Sequence, residues 1–206
     1  MTGLLSATDL ACTRNGRLVF HAISFELNSG QALLLRGANG AGKSSLLRML
    51  AGLLRPSAGV LRWDGVAVTE DHELHRARIG YLGMLDALKP ALTLAENLSF
   101  HARLHDGGDA RVRPALDALG LAALAQTPAR RLSQGQRRRA ALARLLTGPG
   151  ALWLLDEPTL ALDTDGLDRL GAMLSGHLAR GGLAVIATHV DLPALHAETL
   201  TLGIAA

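Results

Sequence analysis

The 206-residue chain contains one cysteine, Cys12, and few aromatic residues, 3% of the total. A single thiol excludes an intrachain disulfide and suits a reducing compartment. A chain of this length can bury a proper core without such a staple. The scarcity of aromatics counts against single-strand nucleic-acid binding, where bases stack on aromatic rings. Long apolar runs are missing too, since no stretch reaches the roughly 18 residues of a membrane span. The start, MTGLLSATDLACTRNG, lacks the basic flank and long apolar centre of a secretory leader, so none is expected. Lysine is almost absent: of 21 basic residues only Lys43 and Lys89 are lysines, and with 18 acidic residues the net charge is only +3. The arginines fall in short clusters such as Arg130–Arg131 and Arg137–Arg139, not in the continuous stripe that tracks a nucleic-acid backbone.

What is present is a phosphate cradle. Residues 36–50 read RGANGAGKSSLLRML, with Gly37, Gly42, Lys43 and Ser44 at the spacing G-x-x-x-x-G-K-S. Leu33, Leu34 and Leu35 precede it as a strand, and Leu46, Leu47 and Leu50 follow with helical spacing. The glycines let successive backbone N–H groups of Gly37, Ala38, Asn39, Gly40, Ala41, Gly42, Lys43, Ser44 and Ser45 converge on an anion. Lys43 adds a mobile charge for the β and γ phosphates, and Ser44 a hydroxyl for Mg²⁺. Apolar segments at 17–27, 31–35, 59–63 and 78–82 read as strands between Gly and Asn turns. From about 92 to 146 the spacing turns helical, through Leu94, Leu98 and Ala102, then Leu116, Leu119 and Leu124, then Leu142, Leu145 and Leu146. Buried parallel strands return at 151–155 and 183–187, with a helix over 165–180 between them. The class predicted is three-layered α/β, with a helical subdomain at 84–146 inserted between core segments 1–83 and 147–206.

The run ALWLLDE at 151–157 sets two carboxylates at the C-terminal end of a buried strand, the edge where open α/β sheets hold ligands. Asp156 there is suited to hold Mg²⁺ through water, and Glu157 to polarise the water that attacks a γ-phosphate. LSQGQ at 132–136 opens an Ala- and Leu-rich helix, with Ser133 as its N-cap and Gly135 leaving room for close approach.

Taken in order, GANGAGKSS, LSQGQ, LLDEPT, ALD at 161–163 and TH at 188–189 resemble the ABC transporter ATPase family over nearly the whole chain. The resemblance implies a head-to-tail homodimer in which ATP and Mg²⁺ on Gly37–Ser44 of one subunit are capped by Ser133, Gly135 and Gln136 of the other. It implies that Glu157 is the catalytic base, that His189 contacts the γ-phosphate, and that Asp163 links the two sites. An N-terminal antiparallel β subdomain is also implied.

Two positions depart from the family pattern. The residue that stacks on adenine is usually aromatic, but counting from Ser24 and Phe25 puts Arg14 there, so stacking would use a guanidinium. A glutamine that usually reaches Mg²⁺ and the attacking water is replaced by Met84. Either Met84 serves only coupling, or a neighbour such as Asp86 takes over the ligand role. Within the family the chain is similar to the branch that drives the haem exporter of bacterial c-type cytochrome maturation, although His is common there at the Met84 position and a small polar residue at Leu160. That branch implies a peripheral subunit on the cytoplasmic side of the inner membrane, partnered by membrane proteins of the maturation system. His101 and His105, four apart on a helix, are expected to be a solvated face, with no direct haem binding and no nucleic acid as partner. Another small-substrate ABC transporter, and a soluble ABC ATPase acting on nucleic acid or ribosomes, remain as alternatives.

Overall fold

Three segments carry apolar residues at consecutive positions, so they can be buried only between two layers. In a computed structural model describing residues 3–105, 108–148, 150–192 and 195–203, they form the centre of a parallel sheet. These are β3 (Ala32–Arg36), β7 (Leu152–Asp156) and β8 (Leu183–Ala187). With β6 (Ile79–Leu82) and β9 (Ala197–Thr201) at the edges, the order is β6-β7-β8-β3-β9. Successive side chains serve opposite faces. Leu34, Trp153, Leu155 and Ile186 enter one hydrophobic cluster, while Leu33, Leu35, Leu154 and Val185 enter the other.

The second cluster is closed by an antiparallel sheet of order β2-β1-β4-β5, built from β1 (Leu4–Arg14), β2 (Arg17–Asn28), β4 (Ala58–Trp63) and β5 (Val66–Ala67). Helix α1 (Lys43–Leu50) shares that cluster with both sheets through Leu46, Leu47, Met49 and Leu50. A short helix, α2 (His72–Ala77), precedes β6. The first cluster is covered by α3 (Leu94–Leu104), α4 (Val112–Ala118) and α5 (Gln134–Thr147), all between β6 and β7, and by α6 (Thr164–Ala179). The leucines with helical spacing are the ones that pack: Leu94, Leu98, Leu116, Leu119 and Leu142 are all buried.

The predicted strands and the helix over 165–180 are present, within a residue or two at most ends. Strands β1, β5 and β9 and helix α2 were not anticipated. The alternation of β1 is broken by register shifts between Ala7 and Thr13 and by Asp9 at φ 49°. Strand β9, AETLT, is a largely exposed edge with little apolar signal, and α2 has six residues, mostly polar.

Three histidines are built into this frame as neutral rings. His75 Nε2 lies 2.7 Å from Leu50 O, His177 Nε2 lies 3.0 Å from Leu183 O, and His101 Nδ1 lies 3.0 Å from Thr147 Oγ1. His177 also stacks on Trp153, with centroids 3.8 Å apart. Burial lowers all three below the usual histidine range, and His101 to about 4. Each therefore binds its proton more readily when unfolded. Stability from these sites is fully present above the ordinary histidine value of 6.5 and declines as pH falls from there toward 4. The urea midpoint is expected to fall steadily from pH 7 to pH 5, and proton NMR should show His101 still neutral at pH 5.

Candidate functional site

At the C-terminal edge of β3 the chain leaves the sheet through Gly37 and re-enters helix at Lys43. Gly42, the residue before the helix, has φ 99°, and a Cβ there would lie 2.7 Å from Val19 Cγ1 and 2.8 Å from Phe20 Cδ1. It carries no side chain to cap the helix, so the first-turn N–H groups face the loop. Lys43 is 8% exposed; its Nζ donates to Gly37 O at 2.7 Å and to Ala38 O at 3.1 Å. An ammonium has three protons, which leaves the third for an anion in the loop.

The loop opens on a cleft of about 360 Å³ lined by Asn39, Gly40, Gly42, Lys43, Ser44, Ser45, Asp156, Glu157, Met84 and Val19. Asp156 is the last paired residue of β7, opposite Ala187, and is 3% exposed. Glu157 then turns out of the sheet with φ 48°, a left-handed conformation that costs a residue with a Cβ roughly 1–2 kcal/mol. Its N–H is fixed by Ala187 O at 2.8 Å. His189 Nε2 lies 3.3 Å from Glu157 Oε1. The His189 loop is held from below: Arg36 donates to Thr188 O at 2.8 Å and Val190 O at 3.3 Å and pairs with Asp191 at 2.7 Å. Thr188 and Thr159 join hydroxyls at 3.0 Å.

Ser44 and Asp156 present hard oxygens to the same cleft, a donor set that fits Mg²⁺, which accepts few protein ligands and retains water. Met84 also lines the cleft while remaining 54% exposed. Asp86 does not line it; its carboxylate lies 3.3 Å from Arg138 Nη1. Arg138 is buried and donates to Asp156 O, Glu157 O and Gly83 O at 2.7, 2.7 and 3.0 Å. Burial lowers its pKa and Asp86 opposes the shift, but a guanidinium stays charged. Arg138 and Val19 were not singled out from sequence. Arg138 stood in one of the short arginine clusters, yet it precedes Ala141, Leu142 and Leu145 by three, four and seven residues, the spacing of one helix face.

The other expected residues lie outside this cleft. Ser133 caps α5 in a reciprocal box, accepting from Gln136 N at 3.2 Å while its own N–H donates to Gln136 Oε1 at 2.9 Å. Gly135 permits a close approach within the chain, since a Cβ there would sit 2.7 Å from Ala161 O. Asp163 caps α6 by accepting from Gly166 N at 2.9 Å. Arg14 stands exposed at the tip of the β1–β2 hairpin, opposite Arg17, and Val19 takes the cleft wall on that side. His101 and His105 lie at the C-terminal end of α3, rings 4.8 Å apart; of the expected solvated pair only His105 is exposed, while His101 is half-buried against Thr147.

A glycine loop between strand and helix, with a carboxylate pair on a parallel strand across the cleft, defines a P-loop nucleotide-binding fold. The sequence profile of the family described as ABC transporter matches residues 20–160, and the chain belongs to that family. It is 53% identical over 201 residues, covering 96% of this chain and 93% of the other, to a protein of Paramagnetospirillum magneticum named cytochrome c biogenesis ATP-binding export protein CcmA. A Rhodospirillum rubrum protein of the same name is 51% identical, covering 97% and 85% of the two chains. Among solved structures, an ABC transporter ATP-binding protein from Pyrococcus furiosus superposes with a TM-score of 0.85 at 23% identity over 97% of both chains.

Replacing Gly42 forces a Cβ against Val19 and Phe20 at a backbone angle that disfavours one. Gly42→Ala is expected to weaken binding of a fluorescent ATP analogue at least about tenfold by misplacing the first-turn amides. Circular dichroism should show the helix content unchanged.

Proposed function

We propose that this chain is the ATP-hydrolysing subunit of a membrane export complex serving c-type cytochrome biogenesis, and that haem, or a haem carrier released from a membrane partner, is what the complex handles. The observation that carries this reading is the meeting of the Lys43 loop with Asp156 and Glu157 in one cleft, in a chain about half identical to proteins named for that pathway. Residues 37–45 bind the phosphates, with Lys43 facing the β and γ groups. Glu157 takes a proton from water as its oxygen attacks the γ-phosphorus, the bond to the bridging β–γ oxygen breaks, and ADP and phosphate leave. His189, beside the Glu157 carboxylate, contacts the γ-phosphate from the second strand edge. Ser44, and Asp156 through water, would hold Mg²⁺, which when bound neutralises charge on the β and γ oxygens. Arg14 is the candidate for the adenine ring.

No helix among the described residues is long and apolar enough to cross a membrane, in keeping with a peripheral subunit on the cytoplasmic face of the inner membrane. The segment bearing Met84 and Leu85, the latter 83% exposed, runs on to Lys89, whose ammonium stands 4.0 Å over the Phe100 ring of α3. This surface suits contact with a membrane subunit. Met84 is a poor Mg²⁺ ligand but a good apolar contact, so it links cleft to partner by packing. We read the core as residues 1–83 and 147–206 and the helical subdomain as 84–146.

Lys43→Ala is expected to abolish most ATP affinity. Glu157→Gln should retain binding and lose turnover at least about a hundredfold, near 3 kcal/mol of barrier. Equilibrium binding and phosphate release separate the two, and wild-type turnover by Glu157→Gln would remove Glu157 from its role.

The exposed Ser133 and the half-buried Gln136 cap ATP held by a second copy in this reading, with Gly135 between them and Asp163 at the seam. Sedimentation of Glu157→Gln is expected to show an ATP-dependent dimer that Ser133→Arg prevents. A chain that stays monomeric at saturating ATP, alone and with its membrane partners, would exclude the sandwich.

A further inference from the structure

Arg138 is 2% exposed and follows Gln136 by two residues on α5. Its four terminal protons go to two separate pieces of chain. Nη2 donates to Asp156 O and Glu157 O, both at 2.7 Å, at the end of β7. Nη1 donates to Gly83 O at 3.0 Å and faces Asp86 Oδ1 at 3.3 Å, on the segment that carries Met84 into the cleft. Among the described residues no other side chain donates to the Glu157 carbonyl, and Glu157 is the residue held at φ 48°. Arg144, on the same helix, donates to Asp86 O at 2.8 Å and Ala87 O at 3.3 Å, so the Met84 segment is gripped twice from α5.

Burying this charge is costly, and Nε–H has no partner. An apolar side chain of similar volume would fill the space with less desolvation, but it would leave three carbonyls without these donors. We propose that Arg138 is a positioning residue for hydrolysis: from the helix that begins at Ser133 it fixes the Asp156–Glu157 peptide, and so makes the aim of the Glu157 carboxylate depend on where α5 stands. A helix displaced when Ser133 and Gln136 engage nucleotide would carry Arg138 with it and turn the Glu157 peptide. Lysine cannot substitute, because a single ammonium cannot span both groups of acceptors as a planar fork does. The inference rests on the reading of Glu157 as the base.

The test compares Arg138→Lys, Glu157→Gln and the double variant on the full chain, by ATP binding, steady-state hydrolysis and single-turnover hydrolysis. Arg138→Lys is expected to lower kcat at least about tenfold while the Kd for ATP stays within about twofold. In the Glu157→Gln background the same change should lower the residual single-turnover rate less than about twofold, since the group it aims is already removed. Additive losses overturn the proposal, as does an unchanged kcat in Arg138→Lys. Parallel loss of kcat and affinity marks a packing role and also overturns it. Full turnover by Glu157→Gln defeats the base assignment instead, which keeps the two failures apart. Should Arg138→Lys fail to fold, Asp86→Ala releases the clamp from its more exposed side. A kcat reduced about threefold or more at constant Kd supports the proposal, and an unchanged kcat overturns it.

Discussion

Everything at the cleft hangs from the carboxyl edge of β3, β7 and β8, three strands apolar on both faces and therefore confined to one register between two hydrophobic clusters. Because β7 pairs with β8 as far as Asp156 and Ala187, the next residue must leave the sheet where the cradle already stands. A slip of one residue would exchange the two faces and turn Asp156 away from the Lys43 side. The carboxylates need no loop of their own to find the phosphates. The same edge sets a difficulty, since strands that end together leave carbonyls and N–H groups that must be satisfied beside a polar cleft.

Arginines meet that difficulty. Arg36 collects the carbonyls behind His189, Arg138 those behind Asp156 and Glu157, and Arg144 those of the Met84 segment. Each guanidinium joins an element of the frame to a loop that carries a site residue. The departure at Met84 fits this arrangement. A thioether contributes little to a hard cation, and Asp86, the neighbouring oxygen ligand, is turned toward Arg138. The segment is therefore mechanically tied to α5 more than chemically tied to a metal.

How much of this was legible in the sequence depended on whether the signal was local. The cradle is a local backbone requirement, so its glycines, Lys43 and Ser44 stand out at fixed spacing, and the two-face burial of β3, β7 and β8 is written as unbroken apolar runs. Ser133 was readable as a cap because capping acts over three residues. Val19 was not, because it reaches the cleft only through the packing of the β1–β2 hairpin against Gly42. Arg14 was read by counting back from Ser24 and Phe25 across the hairpin, where the pairing of β1 with β2 carries register shifts between Ala7 and Thr13 that spacing alone does not show. Arg138 was partly legible: its place on the apolar stripe of α5 marks it as buried, but its acceptors lie 18, 19 and 55 residues away in sequence.

The near absence of lysine now has a physical reading. Where a charge must bridge carbonyls from two elements, a planar fork with five donors in fixed directions holds both, and an ammonium on a flexible stem holds one at a time. Arg138, which bridges the end of β7 and the Met84 segment, meets that requirement. At Lys43 the requirement is the opposite. There the charge sits inside a loop whose own carbonyls it already contacts, and a compact group with rotatable protons can keep those contacts while turning one proton to an incoming phosphate. At the cleft the residue types thus divide along function, with arginines fixing the frame and Lys43 following the ligand.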